Sequence, residues 1–468
     1  MKLLLFLVAV ASIIYLSSIN WRRSIYAIFL LVVGEGILRK WVLPQASDFI
    51  YFLKDLVLLG AYLKYFVFSA DEMRVPVRNF GINLFIFLSA GLCLFQAFNP
   101  SLGSPIAGLF GLKGYLLYIP LMWMCANLFR SEEELYKFIR LNLLLMIPVG
   151  LLGIVQFLSP PSSPINLLIG GEVSNAGFTG LDKIRITGPF SYIAGFTTFL
   201  GFWFALLVPI LSRNQARIWQ LVATIEMVLL VANSFMTGSR SVVFANAIFL
   251  VLYLSFSMAT QASTIVTYVR RFTIPAIVVF FAVNRWFSAA FGAFSARVTG
   301  TDSAVDRITG AFNVIPYFAY KQLDGYGTGA THQAVRALRN ALDLPQAEAI
   351  PIGFENEMGR IALELGPFGF VFWYGLRIII IIVLGFVFLK LKHPFLRQLA
   401  LAAFLVHLIQ LNSQLVVNHI FLLYYWFLAS FIFLLPHLEQ VENWKQQQKL
   451  AEYYASTTYF YRSGNVQL

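Results

Sequence analysis

Charge is scarce in this chain. Asp, Glu, Lys and Arg make up 12% of its 468 residues, about half the quarter usual in a soluble domain. With 59% hydrophobic residues, a water-soluble fold would have too little polar surface to cover its apolar bulk. Ordinary soluble enzymes and disordered chains are excluded. Cysteine is nearly absent as well. Cys93 and Cys125 are the two in the chain and both lie in apolar runs, which excludes a disulfide framework and a cysteine-based metal site. There is no Walker loop, no His-Glu-x-x-His and no Cys-x-x-Cys, and no internal repeat or low-complexity tract. Histidines and acids are scattered without ligand spacing, so no metal and no other cofactor is expected.

What the chain has in abundance is long apolar runs. A spanning helix needs roughly 20 mostly apolar residues. Candidates fall at 3–19, 24–38, 48–68, 81–98, 108–128, 138–158, 189–211, 218–236, 242–258, 272–287, 367–389, 398–412 and 416–436. The last two form one run, split only by the polar stretch Leu411–Gln414. The expected fold is all-α: a polytopic bundle of 12–13 transmembrane helices. Met1–Lys2 followed by Leu3–Leu16 has the look of a signal peptide, but Arg22 and Arg23 outweigh Lys2 and favour a retained helix.

The net charge of +12 is explained by a membrane rather than by nucleic acid, because basic residues collect in inner loops. With the loop at Lys390–Arg397 placed in the cytoplasm, alternation puts eighteen basic residues inside and seven in short outer segments. The chain then divides into N-terminal transmembrane helices (1–287), a large outer loop (288–365), C-terminal transmembrane helices (366–436) and a cytoplasmic tail (437–468). Segment 288–365 alone has soluble composition, with eight acids and six bases. Within it Thr331–Leu344 reads as an amphipathic helix, so a partly helical cap is expected. The Gly325-Tyr-Gly327-Thr-Gly329 stretch reads as a glycine-rich turn before that helix.

Three groups of residues carry candidate chemistry. The first is basic and outer: Arg185 in Arg185-Ile-Thr-Gly188-Pro-Phe190, and Arg240 in Thr237-Gly-Ser239-Arg240. Either could simply snorkel at the interface. Small residues around an arginine also let an anion approach, and a guanidinium grips phosphate with two N–H groups. With Arg39 and Lys113 they could hold a diphosphate. The second group is polar residues within spans, which are expensive in lipid. Glu35 and Arg39 are spaced to pair, Lys54 and Asp55 point in different directions, and Glu226 and Arg377 need partners. His407, Gln410, Asn412, Gln414, Asn418 and His419 suggest either a polar cavity or interhelical hydrogen bonding. The third is Gly353-Phe-Glu355-Asn356-Glu357-Met-Gly-Arg360, running on to Gly366-Pro-Phe-Gly369. There Glu355 is either a general base with a raised pKa or a helix cap.

These stretches resemble the O-antigen ligase and O-antigen polymerase superfamily of bacterial inner-membrane proteins. Arg185-x-x-Gly188-x-Phe190 is similar to that family's arginine–glycine–phenylalanine motif, and Thr237-x-Ser239-Arg240 to its Thr-x-Ser-Arg motif. Ligases end their large loop with His, then Asn, Ser or Gln, nine residues, Gly, two residues, and Gly or a similar residue. This chain has Glu355-Asn356, nine residues, Gly366, Pro-Phe, Gly369, with Glu355 where the histidine stands. Gly34–Pro44 resembles an N-terminal stretch of members from exopolysaccharide clusters.

The resemblance implies glycan transfer from a polyprenyl-diphosphate carrier to a sugar hydroxyl at the periplasmic face, without ATP or metal. It also implies a multi-pass protein of the inner membrane. Arg185, Arg240, Arg39 and Lys113 would hold the diphosphate. Glu355 or His332 would be the base, and Asn356, His407, Asn412, Gln414 and His419 would line the acceptor cavity. The missing histidine points to a polymerase for a capsule, exopolysaccharide or O-antigen, with a chain-length-determining co-polymerase as a further partner. A glycan ligase of the same superfamily, a lipid-linked glycan transporter and an assembly protein without chemistry of its own are the alternatives.

Overall fold

A computed structural model describes the chain except for residues 1, 70–73, 170–176, 179–182, 261–272, 274–276, 279, 282–284, 286–287, 299–311, 322–323, 355 and 465–468. Among the described residues the fold is all-helical. The helices are α1 (Lys2–Ile19), α2 (Trp21–Ile37), α3 (Ser47–Tyr62), α4 (Phe80–Gln96), α5 (Pro105–Leu116), α6 (Leu121–Cys125), α7 (Glu132–Leu143), α8 (Met146–Leu158), α9 (Ile193–Ser212), α10 (Arg217–Met236), α11 (Arg240–Thr260), α12 (Ser288–Val298), α13 (Gln333–Leu342), α14 (Glu357–Lys390), α15 (Pro394–Ile409), α16 (His419–Ala429) and α17 (Phe431–Gly464).

Local chemistry sets the helix starts. Asn20, Asn79 and Asn418 cap α2, α4 and α16 by accepting from backbone N–H groups one turn in. Ser131 caps α7 by accepting from Glu134 N–H, and the Glu134 carboxylate accepts from the N–H of Arg130, one residue before the cap.

Among the described residues seven helical segments are long and apolar enough to cross a membrane: Pro105–Cys125, Glu132–Leu158, Ile193–Ser212, Arg217–Met236, Arg240–Ala259, Glu357–Lys390 and His419–Tyr453. Three more apolar helices are shorter, Phe6–Ile19, Phe80–Gln96 and Pro394–Ile409. This is fewer than the 12–13 expected from the runs. The α2 and α3 regions carry Glu35, Arg39, Lys40, Lys54 and Asp55, which dilute their hydropathy. The run 272–287 lies largely outside the described residues. The chain is a multi-pass membrane protein by these helices, and its surface agrees: on α4, Phe80, Phe87 and Phe95 are all more than two-thirds exposed while Ile82, Ile86 and Cys93 face inward. An apolar outer face of that kind suits hydrocarbon rather than water.

Helix α9 and the α16–α17 pair form the centre. Phe202 and Trp203 of α9 meet Tyr424 with ring centroids 5.4 and 5.6 Å apart, and Phe29 of α2 meets Phe427 at 5.0 Å. The polar stretch 410–418 is a true break, non-helical between α15 and α16.

Helix α14 is broken too. Gly366 has φ 67° and ψ −171°, a region essentially restricted to glycine, and Pro367 follows it without an N–H to donate. The result is a short buried helix, 357–365, set at an angle to the long apolar one that follows. Gly366→Ala should therefore cost about 1–3 kcal/mol of stability, read as a lowered midpoint of thermal unfolding in detergent. Gly34→Ala is the control, since a Cβ at Gly34 would meet nothing within 4 Å. Equal midpoints for the two variants would show that Gly366 is not strained.

Candidate functional site

The most unusual piece of backbone follows α2. Residues Leu38–Val42 form a π-helical turn, closed by Leu43 N–H on the Leu38 carbonyl at 2.7 Å. A π turn holds more residues than an α turn, so successive side chains diverge less. Arg39 and Lys40, adjacent in sequence, are consequently both buried, each 8% exposed.

Arg39 enters a cluster of charges built from four helices. The Glu35 carboxylate receives Arg39 Nη1 at 3.1 Å and Lys54 Nζ at 2.7 Å, with His419 Nε2 3.4 Å away. The Asp55 carboxylate receives Lys113 Nζ at 2.6 Å and the Tyr118 hydroxyl at 2.6 Å. The Tyr51 ring sits in the middle. Arg39, Lys54 and Lys113 lie 5.2, 4.6 and 4.0 Å from its centroid, and the His419 ring packs edge-on at 5.3 Å. Three cations face two carboxylates, and the π-face of Tyr51 offsets part of their mutual repulsion.

Lys40, also directed inward, reaches the turn that carries the first arginine motif. Its Nζ donates to Thr187 Oγ1 at 2.9 Å and to the Gly188 and Phe190 carbonyls at 3.2 and 3.4 Å. Gln156 grips the same turn, accepting from Gly188 N–H at 2.8 Å and donating to the Gly188 carbonyl at 3.1 Å. The approach is close enough that a Cβ on Gly36 would lie 2.0 Å from the Pro189 carbonyl oxygen. The turn also reaches Arg39, through Ser191 Oγ at 3.3 Å.

At its other end, Arg185 Nε donates to the Thr237 carbonyl at 2.8 Å and Ile186 N–H to the Met236 carbonyl at 3.3 Å. The two arginine motifs are thus one structure. Residues 185–191 lie between the Thr237–Arg240 turn and the cluster around Tyr51. Arg240, half-buried, opens α11 one residue after Ser239, whose hydroxyl is 2.9 Å from that of Ser241.

A second region adjoins these. Gly325, Gly327 and Gly329 all take positive φ and thread a tight turn against α4, α5 and the short helix 357–365. Glu364 locks it, accepting from Tyr115 Oη, Gly329 N–H, Thr331 N–H and Thr331 Oγ1 at 2.6–3.0 Å. Arg360 binds the Thr331 carbonyl at 2.8 Å and the Phe354 carbonyl at 3.3 Å. Glu357 accepts from Leu415 and Val416 N–H at 3.0 Å each, and Arg377 donates to the Gln410 carbonyl at 2.8 Å. The break at 410–418 is therefore pinned at both ends by α14. Between these parts opens a cleft of about 450 Å³ lined by Gln333, Gly353, Phe354, Arg360 and Gln414.

His332 caps α13, which starts at Gln333 rather than Thr331. Its Nδ1 accepts from Ala334 N–H at 3.1 Å, and its ring packs edge-on against Phe110 at 5.2 Å. Burial, and then the positive charges of Lys113 and Arg360, push its pKa down to about 4. A neutral imidazole accepting at Nδ1 carries its proton on Nε2. So placed, His332 can donate to an oxygen but has no lone pair left to take a proton.

This has a measurable consequence. The unfolded histidine protonates near its ordinary value and the folded one only near 4. Stability at α13 is then complete above about pH 6.5 and is lost as pH falls from there toward 4. Hydrogen exchange across 333–342, corrected for intrinsic rates, should show protection roughly ten- to hundredfold weaker at pH 4.5 than at pH 7.5. His332→Ser, which keeps a cap, should flatten that dependence. Unchanged protection in the native chain would rule out a buried neutral imidazole.

Of the other residues singled out from sequence, Arg39, Lys113 and His419 meet in the Tyr51 cluster, and Gln414 lines the cleft. Asn356 caps α14 and donates to the Tyr317 hydroxyl at 3.2 Å. Asn412 lies in the 410–418 break. His407 does not face the cleft. It is 1% exposed, its Nδ1 lies 2.8 Å from the Ala403 carbonyl of its own helix, and Tyr425 packs against it at 4.3 Å. Its polarity in the sequence is spent inside the bundle. Glu355 lies outside the described residues. Among the described residues no three His, Cys, Asp or Glu side chains gather as metal ligands. Lys40, Tyr51, Lys54, Asp55 and Arg360 also belong to the site, and nothing in the sequence gives Lys40 or Tyr51 a role there. Lys54 and Asp55 were marked only by their cost in a span.

No protein-family model matches the chain, and no curated protein matches it. The superfamily resemblance rests on the motif residues themselves.

Proposed function

We propose that the chain is a polysaccharide polymerase of the inner membrane. It would transfer a glycan from a polyprenyl-diphosphate carrier to a sugar hydroxyl on the periplasmic side, with segment 288–365 outside and the tail after 437 in the cytoplasm. One observation carries the reading: three basic residues from separate segments, Arg39, Lys54 and Lys113, face only two carboxylates around Tyr51 within a lipid-facing bundle, and Lys40 is buried beside them on the neutral oxygens of the 187–190 turn. A buried excess of cations is costly unless an anion completes it, and a diphosphate held in a lipid bilayer is such an anion.

In this mechanism the acceptor's hydroxyl oxygen forms a bond to the anomeric carbon of the donor sugar. The bond from that carbon to the diphosphate oxygen breaks, and the electron pair leaves on the diphosphate. Arg185 and its neighbours offset the charge that grows there. Glu355 takes the hydroxyl proton. His332, a donor at Nε2, orients an oxygen of the substrate. A co-polymerase that sets chain length would act on the growing product.

A second reading has its own support. The breaks at Gly366 and 410–418 resemble the interrupted helices of transporters, and a lipid-linked glycan transporter would use the same cations. Both are tested on one sample: full-length protein in proteoliposomes with a polyprenyl-diphosphate oligosaccharide. A polymerase lengthens the glycan and releases carrier diphosphate. Movement of unaltered donor across the bilayer without lengthening would replace this reading by the second, and transfer of a single unit to an acceptor would indicate a ligase.

A further inference from the structure

The cleft beside α14 differs in chemistry from the Tyr51 cluster. Its charged lining residue is Arg360, 5% exposed, whose Nη1 and Nη2 hold, among the described residues, only neutral oxygens, those of Thr331 and Phe354. Among the described residues its Nε meets no hydrogen-bond partner. The nearest carboxylates on its own helix accept from other groups, Glu357 through Oε1 from the Leu415 and Val416 amides and Glu364 from the 329–331 turn and Tyr115. Among the described residues this guanidinium makes no ion pair. Around it stand Phe354, a flat apolar face of the kind on which a sugar ring stacks, and the two amides of Gln333 and Gln414, which match ring hydroxyls. The volume, about 450 Å³, falls within the usual range for a small-ligand site. One cation with two amides and an aromatic suits a singly charged sugar better than a diphosphate.

We infer that this cleft is a subsite for a carboxylate-bearing sugar, with Arg360 pairing to the carboxylate. As the acceptor's binding place this rests on the transfer reading above, but the binding itself does not. The probes are two disaccharides alike except that one ends in glucuronic acid and the other in glucose, titrated calorimetrically into the full chain in nanodiscs. The acidic sugar should bind roughly ten- to hundredfold more tightly, as expected for a hydrogen-bonded charge in a partly dry site. Arg360→Gln should abolish that preference. Arg360 also supports two backbone carbonyls, so a second variant is needed in case the first misfolds. Gln414→Ala should weaken both sugars and leave the preference intact.

Equal affinity of the native chain for both sugars overturns the inference, and so does loss of the preference in Gln414→Ala. Competitive displacement of the acidic sugar by pyrophosphate overturns it as well, because the cleft would then be the diphosphate site. A preference that persists in a chain making no polymer refutes the polymerase alone. Polymer made by a chain without the preference refutes this inference alone.

Discussion

Glu35→Gln is expected to destabilise the protein by about 3–5 kcal/mol, the scale for removing one partner of a buried ion pair. Glu35 is 5% exposed and is the carboxylate for both Arg39 and Lys54. Glutamine keeps its shape but leaves two cations facing each other across Tyr51, with only Asp55, already paired to Lys113, to offset them. Thermal unfolding in detergent reads the loss. The decisive comparison is the double variant Glu35→Gln with Lys54→Met, which removes one cation as well. It should recover much of the lost stability, because the penalty arises from uncompensated charge rather than from a missing contact. If the double variant is no better than the single, the cluster is not held by charge balance. An exposed pair gives the contrast: Lys137 and Glu133, 3.8 Å apart and 72% and 53% exposed, should contribute little.

Arg185→Lys is expected to lower polymer output in the proteoliposome assay by roughly 30- to 1,000-fold, the cost of losing one oriented donor to the leaving group. Arg185 uses Nε to hold the Thr237 carbonyl and so ties the two motif turns together. A lysine has a single ammonium. It cannot brace that carbonyl and meet an anion at the same time. Expression and thermal stability should change far less than output. A lysine variant with near-native output would return Arg185 to the role of an interfacial anchor.

The residues differ in how far the sequence alone could place them. The Glu35–Arg39 pair is legible because its partners are one helical turn apart, a spacing that needs no tertiary knowledge. The 410–418 break is legible from the polar run Leu411–Gln414, since water-seeking groups interrupt an apolar helix only for a reason. The partners of Lys54 and Asp55 are not legible. Lys54 reaches α2 and Asp55 reaches α5, so their pairing depends on how three helices cross. Glu226, which needed a partner, finds Arg140 at 2.6 Å on α7 for the same kind of reason. His407 misled because polarity in sequence does not say which way a side chain points: a histidine bonded to its own helix looks like one that lines a cavity. The Gly366–Pro367 pair could be seen as a conspicuous dipeptide, but only the backbone shows that it separates a buried helix from a membrane-crossing one. The role of His332 turns on which nitrogen carries the proton, and that is fixed by the Ala334 amide rather than by any residue type.

The π-helical turn at Leu38–Val42 makes chain length itself a constraint. A π turn accommodates one residue more than an α-helix would at the same place. Deleting a single residue between Ile37 and Leu43 would let the segment relax to ordinary helix, in which successive side chains diverge by about 100°. No side chain of the cluster need be altered for Arg39 and Lys40 to lose their simultaneous inward aim. Substitutions on the lipid-facing side of this segment should then be tolerated readily, whereas insertions and deletions should not. Among related chains that keep both basic residues, the spacing from Glu35 to Pro44 should vary less than the identity of the apolar residues between them.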